Sequence, residues 1–250
     1  MIVYASTKAD FINDVTNANI EEVILANYQE KLKRNTSQSE IQSWRESLMY
    51  MNLVLMDHEI PDDAGILVEF MIPQSSFRVD FIITGTNADD DEQVIIVELK
   101  RWSNATLTDK DGVVRTAFRG GLAETSHPSY QAWSYAAFLS SYNETIHTDD
   151  IRLYPCAYLH NYEEDDQITN DFYQPYLSRA PLFFKSDKHK LRDFIKQHIR
   201  KGDNRQIMYR IENGKIRPSK ALADSLASML KGNQEFIMID DQKLVYEAAL

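Results

Sequence analysis

Cysteine is almost absent from this chain, since Cys156 is the only one among 250 residues. A disulfide needs two cysteines, so an internal disulfide framework is excluded, and so is a zinc site built from several cysteines. The sequence also has no apolar run of membrane-spanning length and no basic-then-apolar start of the kind that signal peptides have. We therefore expect a cytoplasmic protein with no membrane partner.

Basic residues are also in short supply, with 27 Lys and Arg against 38 Asp and Glu and a net charge of −11. A net negative charge of this size argues against a surface that is basic overall and binds nucleic acid non-specifically. A local basic track can still bind phosphates. Each of the two basic tracks in the sequence is explained equally well as a solvated face. The tracks are Lys100, Arg101, Lys110, Arg115 and Arg119, and a second group between residues 185 and 201.

Residues 94–100 read V-I-I-V-E-L-K, a buried strand that ends in two charges. Side chains alternate along a strand, so Glu98 and Lys100 project from the same face. Burying both charges without partners is costly, so their place in an apolar strand needs an explanation. The pattern is typical of half of a metal-dependent hydrolytic site, and a local ion pair or a strand running into solvent is the alternative.

The preceding β-rich run, residues 77–83, places Asp80 in the middle of a strand. Aspartate is depleted from strands and is rarely buried without a partner. An aspartate in mid-strand followed by E-x-K at the end of the next strand resembles the PD-(D/E)XK nuclease superfamily at Asp80, Glu98 and Lys100. Val79 stands where that motif usually has proline.

A third element is the apolar run at residues 127–139, where Pro128 marks the start of a helix. Gln131 and Tyr135 are four residues apart and therefore lie one above the other on a helix face. This Q-x-x-x-Y pattern after E-x-K resembles RecB-type nucleases and type I restriction motor subunits. Ordinary core packing of Tyr135 and a surface position for Gln131 are the alternative.

The resemblance implies an α/β fold with a restriction-endonuclease-like αβββαβ core, in which helices flank a mixed central sheet and helical additions lie at both ends. Three parts are expected on this basis. They are a helical N-terminal part of the nuclease domain at 1–60, the nuclease core at 61–217 and a C-terminal segment at 218–250.

Local patterns add detail to this expectation. The opening of the chain is predicted to be helical from the amphipathic pattern at 19–28, and S-Q-S-E from Ser37 has the spacing of a helix capping box. A turn at 73–76 is expected to join two strands as a hairpin. Residues 103–125 are predicted to be a polar loop beside the site. Pro155 has no N–H group to donate, so the strand at 152–160 is expected at the edge of a sheet or at a bulge.

The resemblance also implies the chemistry. Oxygen ligands without cysteine or clustered histidine favour Mg²⁺ or Mn²⁺, held by Asp80, Glu98 and the backbone carbonyl of Leu99. Lys100 would orient or help to deprotonate a water molecule, or stabilise the charge that develops on the phosphate. The expected reaction is the hydrolysis of phosphodiester bonds, with DNA favoured over RNA.

The remaining groups of the expected site position the substrate. Gln131 and Tyr135 would position the water, Lys100 or the phosphate. The first basic track adjoins the E-x-K strand, so it could hold phosphates near the cleaved bond. Its residues beyond Lys100 are Arg101, Lys110, Arg115 and Arg119.

An additional acidic residue is expected at the site, and two candidates exist. A hairpin centred on 73–76 sets Glu69 opposite Asp80 on one face. Like charges repel, so a positive group should lie between them, and a divalent cation would serve. Glu40 is the rival candidate, but it is already explained as the capping partner of Ser37.

Residues 239–242, I-D-D-Q, resemble the adenine-contacting Q motif of superfamily 1 helicases. No G-x-x-x-x-G-K-[ST] motif is present, so the chain itself is not expected to hydrolyse ATP. The combined resemblance is to the amino-terminal nuclease part of bacterial nuclease–helicase fusion proteins, with a covalent helicase domain as partner. Phage defence and DNA processing are both roles that such a protein has by analogy.

Two other functions stay open from the sequence. One is a catalytically inactive nuclease fold that only binds nucleic acid or a partner protein, and the complete set of Asp80, Glu98 and Lys100 argues against it. The other is an acidic adaptor that needs no metal, which leaves Asp80 unexplained. A homo-oligomer is compatible with all of these readings.

Overall fold

A computed structural model gives the fold and describes residues 1–17, 20–33, 35–72, 77–118, 120–217, 238 and 241–249. The strands are β1 (Ile2–Thr7), β2 (Gly65–Met71), β3 (Arg78–Thr86), β4 (Glu92–Lys100), β5 (Thr106–Leu107), β6 (Val113–Phe118), β7 (Gly121–Ser126), β8 (Arg152–Leu159) and β9 (Leu182–Phe184). The helices are α1 (Lys8–Asn17), α2 (Ile20–Leu32), α3 (Gln38–Leu55), α4 (Pro128–Tyr142), α5 (Glu144–Thr148), α6 (Gln174–Leu177), α7 (Lys188–His198), α8 (Ile207–Asn213) and α9 (Asp241–Ala249).

The main sheet has six strands in the order β1-β2-β3-β4-β8-β9. The first four pair antiparallel, whereas β8 pairs parallel with β4 and β9 pairs parallel with β8. Along the chain, α3, β2, β3, β4, α4 and β8 follow one another in this order, with β5, β6 and β7 between β4 and α4 and with α5 between α4 and β8. The protein is therefore an α/β protein with a mixed sheet flanked by helices, which confirms the predicted fold class at this level.

Helices cover both faces of the main sheet because its strands alternate apolar side chains between the two faces. In β4, Ile95 and Val97 pack with α1, α2, α3 and α7, whereas Val94 and Ile96 pack with α4 and α8. Both sets of side chains are almost fully buried. Helices α3 and α4 therefore lie on opposite faces, and each can bring side chains to the same end of the sheet.

The helix predicted at 19–28 is present as α2, which begins at Ile20, but the first residues of the chain are not helical. Ile2–Thr7 forms strand β1, which pairs antiparallel with β2 at the edge of the main sheet. Val3 and Tyr4 join the core on the α3 side, and Ile2 joins the core on the α4 side. Residues 1–60 are thus not purely helical, because their first strand completes the sheet of the predicted core.

The prediction that residues 103–125 form a polar loop is also wrong. It contains most of a second sheet, three antiparallel strands in the order β5-β6-β7. Val113, Val114 and Thr116 on β6 are buried, and Thr116 Oγ1 donates a hydrogen bond of 2.7 Å to the carbonyl of Asn104. The exposed positions of these strands carry polar residues, so the sequence pattern resembled a loop. The strands form because distant parts of the chain cover their apolar positions.

Within the part of the chain that the structure describes, Pro155 lies where β8 has a partner strand on one side only, as the sequence favoured. It pairs with Ile96 of β4, whereas β9 pairs only with Ala157–Leu159. At the level of Pro155, the strand therefore has β4 on one side and no partner strand among the described residues on the other. The missing N–H of proline is tolerated there because that side of β8 is locally an edge.

The hairpin turn at 73–76 lies outside the described residues, but the strands that it joins pair as predicted, with Met71 opposite Arg78. Most of the C-terminal segment, including the expected helix at 221–230 and part of the helicase-like tetrapeptide, also lies outside the described residues. None of the described helices combines the length and the apolar character needed to cross a bilayer.

Candidate active site

A pocket of about 840 Å³ opens where β3 begins and β4 ends, between α3 on one face of the sheet and α4 on the other. Its lining also includes residues of β2 and β6. Most residues that the sequence predicted for the site line this pocket, although they come from five elements and the residue that follows β4. They are Glu40, Glu69, Asp80, Glu98, Leu99, Lys100, Arg101, Gln131 and Tyr135.

Strand pairing brings Asp80 to Glu98. The paired residues of β3 and β4 end at Phe81 opposite Val97, and the next step of this antiparallel register brings Asp80 level with Glu98. The Leu99 amide donates a hydrogen bond of 2.9 Å to Asp80 Oδ2. Asp80 is therefore held against Leu99, the residue whose carbonyl was predicted to join it in binding a metal ion.

Glu98 and Lys100 project into the pocket from one face of β4, as the period of the strand predicted. Glu98 is 1 % exposed, and its Oε1 lies 2.7 Å from Lys100 Nζ. The ammonium group also lies 5.3 Å from the centre of the Trp102 ring. The ion pair that the sequence left open as an alternative is present, and it lies inside the pocket.

Helix α4 presents Gln131 and Tyr135 to the pocket. This helix packs on the face of β4 that carries Val94 and Ile96, and the alternation of the strand directs Glu98 and Lys100 to the same face. Gln131 Nε2 donates a hydrogen bond of 2.9 Å to the Tyr135 hydroxyl, as expected for residues one helical turn apart. The helix begins after His127, whose side chain accepts a hydrogen bond from the Ser129 amide, and Pro128 occupies its first position. The local sequence thus sets both the start of α4 and the face that carries this pair.

Glu69 is level with Asp80, as predicted, because Val68 pairs with Phe81 and Phe70 pairs with Val79. Its backbone has a φ of 60°, which is unusual for a non-glycine residue inside a strand. This conformation turns the side chain towards α3, where Trp44 Nε1 donates a hydrogen bond of 2.7 Å to Glu69 Oε1. Glu69 is 3 % exposed, so its carboxylate is almost fully buried.

The positive group beside these two acids is Arg78, which the sequence analysis missed. Arg78 Nε lies 2.6 Å from Glu69 Oε2, and Arg78 Nη1 donates a hydrogen bond to Glu40 Oε1. The negative charges of Glu69, Asp80 and Glu40 together raise the pKa of Arg78, against the effect of its burial. The signal that could have found Arg78 is its place on β3, two residues before Asp80.

Burial is the main influence on the Glu69 carboxyl. It raises the pKa of Glu69 above its usual range, Arg78 opposes this rise, and the charge of Asp80 adds to it. A carboxylate removed from water needs a positive neighbour to stay ionised. The Arg78 guanidinium is such a neighbour, 2.6 Å from Glu69 Oε2, and it opposes the rise in the pKa of Glu69 without cancelling it.

Glu40 also reaches the pocket, from the first turn of α3. The Ser37 side chain accepts a hydrogen bond of 3.2 Å from the Glu40 amide, which confirms the predicted cap. The Glu40 carboxylate, however, accepts a hydrogen bond of 2.5 Å from Thr36 Oγ1 and contacts Arg78. Capping therefore explains the amide of Glu40 and does not explain its carboxylate.

The first basic track divides between the pocket and the second sheet. Arg101 lines the pocket and pairs with Glu46 at 2.8 Å. Lys110 and Arg115 lie outside the pocket lining, and both pair with Glu124 of β7, at 2.8 Å and 2.9 Å. Arg119 lies outside the described residues.

The second basic track is used largely within the fold. Arg192 donates hydrogen bonds to the carbonyls of Leu53 and Val54 in the last turn of α3. Lys196 pairs with Glu59, and Lys201 pairs with Asp90. These contacts favour a structural reading of the track over a phosphate-binding one.

The donor set at the end of β3 and β4 suits a hard divalent cation in type, because it offers two carboxylates and a backbone carbonyl. Across the described part of the chain, no group of three or more His, Cys, Asp and Glu residues is arranged to hold a metal ion. The fit therefore depends on Asp80, Glu98 and Leu99, without a third acidic ligand from Glu69 or Glu40.

Comparison of the chain with protein-family models, with curated proteins and with solved structures gave no match. The class that the fold and the pocket define is thus an α/β protein with a mixed six-stranded sheet and a strongly charged pocket at one end of that sheet.

Proposed function

We propose that this protein is a metal-dependent nuclease with a restriction-endonuclease-like fold that hydrolyses phosphodiester bonds, with DNA as the favoured substrate. The observation that carries the proposal is the convergence of Asp80, Glu98 and Lys100 on one pocket that Gln131 and Tyr135 also line. The proposal includes a role as the nuclease part of a nuclease–helicase, acting in phage defence or DNA processing.

The charge of the pocket supports a requirement for a cation. At the end of β3 and β4, its lining sets two carboxyl groups, those of Asp80 and Glu98, against one ammonium group, that of Lys100. A phosphodiester is an anion, so this net negative end of the pocket repels it unless a cation binds as well. Asp80, Glu98 and the Leu99 carbonyl would hold Mg²⁺ or Mn²⁺, which supplies Lewis-acid stabilisation of the phosphate and makes a bound water more acidic.

The chain's own residues have separate roles in this reaction. Glu98 holds the Lys100 ammonium group by their 2.7 Å ion pair. From there, Lys100 donates a hydrogen bond either to the attacking water or to a phosphate oxygen that gains charge. Gln131 and Tyr135 orient the substrate or the water from α4, and their mutual hydrogen bond restricts their rotamers.

The test is incubation of the full chain with single- and double-stranded DNA and RNA, in EDTA, Mg²⁺ and Mn²⁺. We expect cleavage only with a metal ion. Asp80→Asn should reduce cleavage to background, and Lys100→Met should reduce it by about 10²–10⁴-fold. The matched controls are Asp90→Asn and Lys201→Met, which alter a surface ion pair of 2.7 Å outside the pocket and should cleave normally.

Metal-dependent cleavage that persists in both Asp80→Asn and Lys100→Met would overturn the assignment. If the wild-type protein cleaves none of the four substrates but binds one of them, the inactive nuclease-fold module becomes the better account. Circular dichroism of each variant shows whether a loss of cleavage has a folding cause.

A further inference from the structure

Arg78 is clamped between two acidic residues at the pocket. Its Nε faces Glu69 Oε2 at 2.6 Å, and its Nη1 donates to Glu40 Oε1 on α3. The other oxygen of Glu69 accepts the 2.7 Å hydrogen bond from Trp44 Nε1. Both oxygens of the buried Glu69 carboxylate are thus engaged by protein groups, one from β3 and one from α3.

The backbone of Glu69 makes this arrangement costly to build. Its φ of 60° lies in the left-handed region, which disfavours residues with a Cβ atom. It also breaks the alternation of β2, so Leu67 and Phe70 both pack on the α4 side, although they are three residues apart. Strain of this kind persists where the surrounding structure enforces it, and it is concentrated at functional sites.

The Arg78 guanidinium lies among three acidic side chains, because it contacts Glu69 and Glu40 and the charge of Asp80 also acts on it. Within the described residues these three carboxyl groups are not themselves arranged as a metal-binding group, so Arg78 is the cation that the fold supplies to them. The planar guanidinium has N–H donors in a fixed geometry that suits carboxylates. Unlike a bound metal ion, it is part of the chain and does not dissociate into solvent.

We infer that Arg78 takes the place of a second divalent cation, so that the pocket holds one metal ion, at Asp80 and Glu98. This inference rests on the proposed function for the site of that one ion. Arg78 is a positioning residue: it neutralises Glu69 and Glu40, ties α3 to β2, and keeps Glu69 from becoming a metal ligand.

The test is the stoichiometry of Mn²⁺ binding to the full chain, measured by calorimetry and by electron paramagnetic resonance without nucleic acid. Wild-type protein should bind one ion, and Asp80→Asn should lose it. Arg78→Gln should bind a second ion, and the double variant Arg78→Gln/Glu69→Gln should lose that second ion. Arg78→Lys keeps a positive charge in the cluster and should still bind one ion.

Arg45→Gln is the matched control, because Arg45 also pairs with a mostly buried glutamate, Glu21 at 2.6 Å, but lies outside the pocket lining. It should bind one ion. If Arg78→Gln does not fold, Glu69→Gln in the wild-type background provides the second test. The inference expects unchanged Mn²⁺ affinity there, and a loss of about tenfold or more identifies Glu69 as a metal-site residue and overturns it.

The outcomes separate the two proposals. One ion in wild type, lost in Asp80→Asn, with no second ion in Arg78→Gln, overturns the role of Arg78 and leaves the nuclease site standing. Two ions in wild type also overturn it. No ion in wild type but one in Arg78→Gln, lost with Glu69→Gln, supports Arg78 as the resident cation and counts against the proposed metal site at Asp80 and Glu98.

Discussion

At the scale of single residues, burial decides how the charged and titratable groups of this protein behave. His160 shows this outside the catalytic proposal: it is 1 % exposed, stacks on Tyr50, and its Nε2 lies 3.0 Å from Ser47 Oγ. Burial lowers the pKa of His160 to about 4, with a smaller contribution from Arg101 in the same direction. The folded protein therefore favours the neutral imidazole.

This lowered pKa predicts a loss of stability in acid. Between pH 6.5 and 4 the unfolded chain binds a proton at His160 that the folded protein does not, so stability is present above pH 6.5 and is lost as pH falls. The contribution is roughly 3 kcal/mol. His160→Gln should be less stable than wild type at pH 7.5, because it loses the stacking on Tyr50, but it should lose less stability on acidification. Urea unfolding across this pH range measures the difference, and parallel curves would contradict the assignment.

At the scale of elements, helix α3 shows how a local signal places a distant group. Ser37 caps the helix, and the first turn then carries Glu40 to the pocket. The apolar stripe of α3 packs on the sheet and fixes its direction. The capping residue and the site residue are only three positions apart, so the geometry of the cap affects the site directly.

Ser37→Ala should destabilise the protein by about 1 kcal/mol, because the Glu40 amide loses its side-chain acceptor. Ser37→Asp keeps an acceptor at the cap and should stay within a few tenths of a kcal/mol of wild type. Chemical denaturation of the three proteins measures this. Equal losses for alanine and aspartate would show that the hydroxyl hydrogen bond is not the cause.

The hairpin of β6 and β7 places an acidic residue between two basic ones. Glu124 pairs with both Lys110 and Arg115, and these contacts lower the pKa of its carboxyl. Both basic side chains belong to the track that the sequence proposed for phosphate binding. In the folded protein, Glu124 competes with a phosphate for them.

Glu124→Gln should therefore strengthen the binding of DNA by the metal-free protein. Without the Glu124 charge, the Lys110 and Arg115 side chains are free to contact phosphates. Each such contact makes the slope of log K against log salt concentration steeper by about one, so the slope should change by up to about two. Glu163→Gln removes the same charge from a surface pair with Lys185, so it is the control and should change neither quantity. Fluorescence anisotropy at several salt concentrations decides the matter, and equal behaviour of the two variants would remove these residues from the interface.

At the scale of the whole molecule, the N-terminal residues belong to the same folding unit as the central sheet. Phe11 of α1 is fully buried between Tyr4 of β1 and Phe81 of β3, with ring centres 6.4 Å and 5.4 Å away. One apolar cluster includes residues from α1, α2, α3, α7 and the main sheet. The part at 1–60 is therefore continuous with the core.

Phe11→Ala should lower the free energy of unfolding by about 3–5 kcal/mol, because it opens a cavity in this shared cluster. The loss should be seen equally by far-ultraviolet circular dichroism and by tryptophan fluorescence, in one transition. Phe172→Ala is the control, since Phe172 is 42 % exposed and should cost much less. Two separate transitions in Phe11→Ala would show that residues 1–60 unfold independently.

Much of the candidate site was predictable because its signals are local. The period of β4 places Glu98 and Lys100 on one face, and the helical turn places Gln131 beside Tyr135. The hairpin register that sets Glu69 level with Asp80 also followed from the two strand patterns. In contrast, β1 and the β5–β7 sheet were missed, because their short strands depend on cover from distant segments.

The sequence by itself determined the type of each central element and the residues that each presents at one end of the sheet. Only the tertiary structure decided which positive side chain faces Glu69. That side chain is Arg78, and its contact with Glu69 depends on a backbone inversion at Glu69 and on the approach of α3 across the sheet. Periodicity acts over a few residues, whereas the partner of a buried charge is selected by segments far apart in the chain.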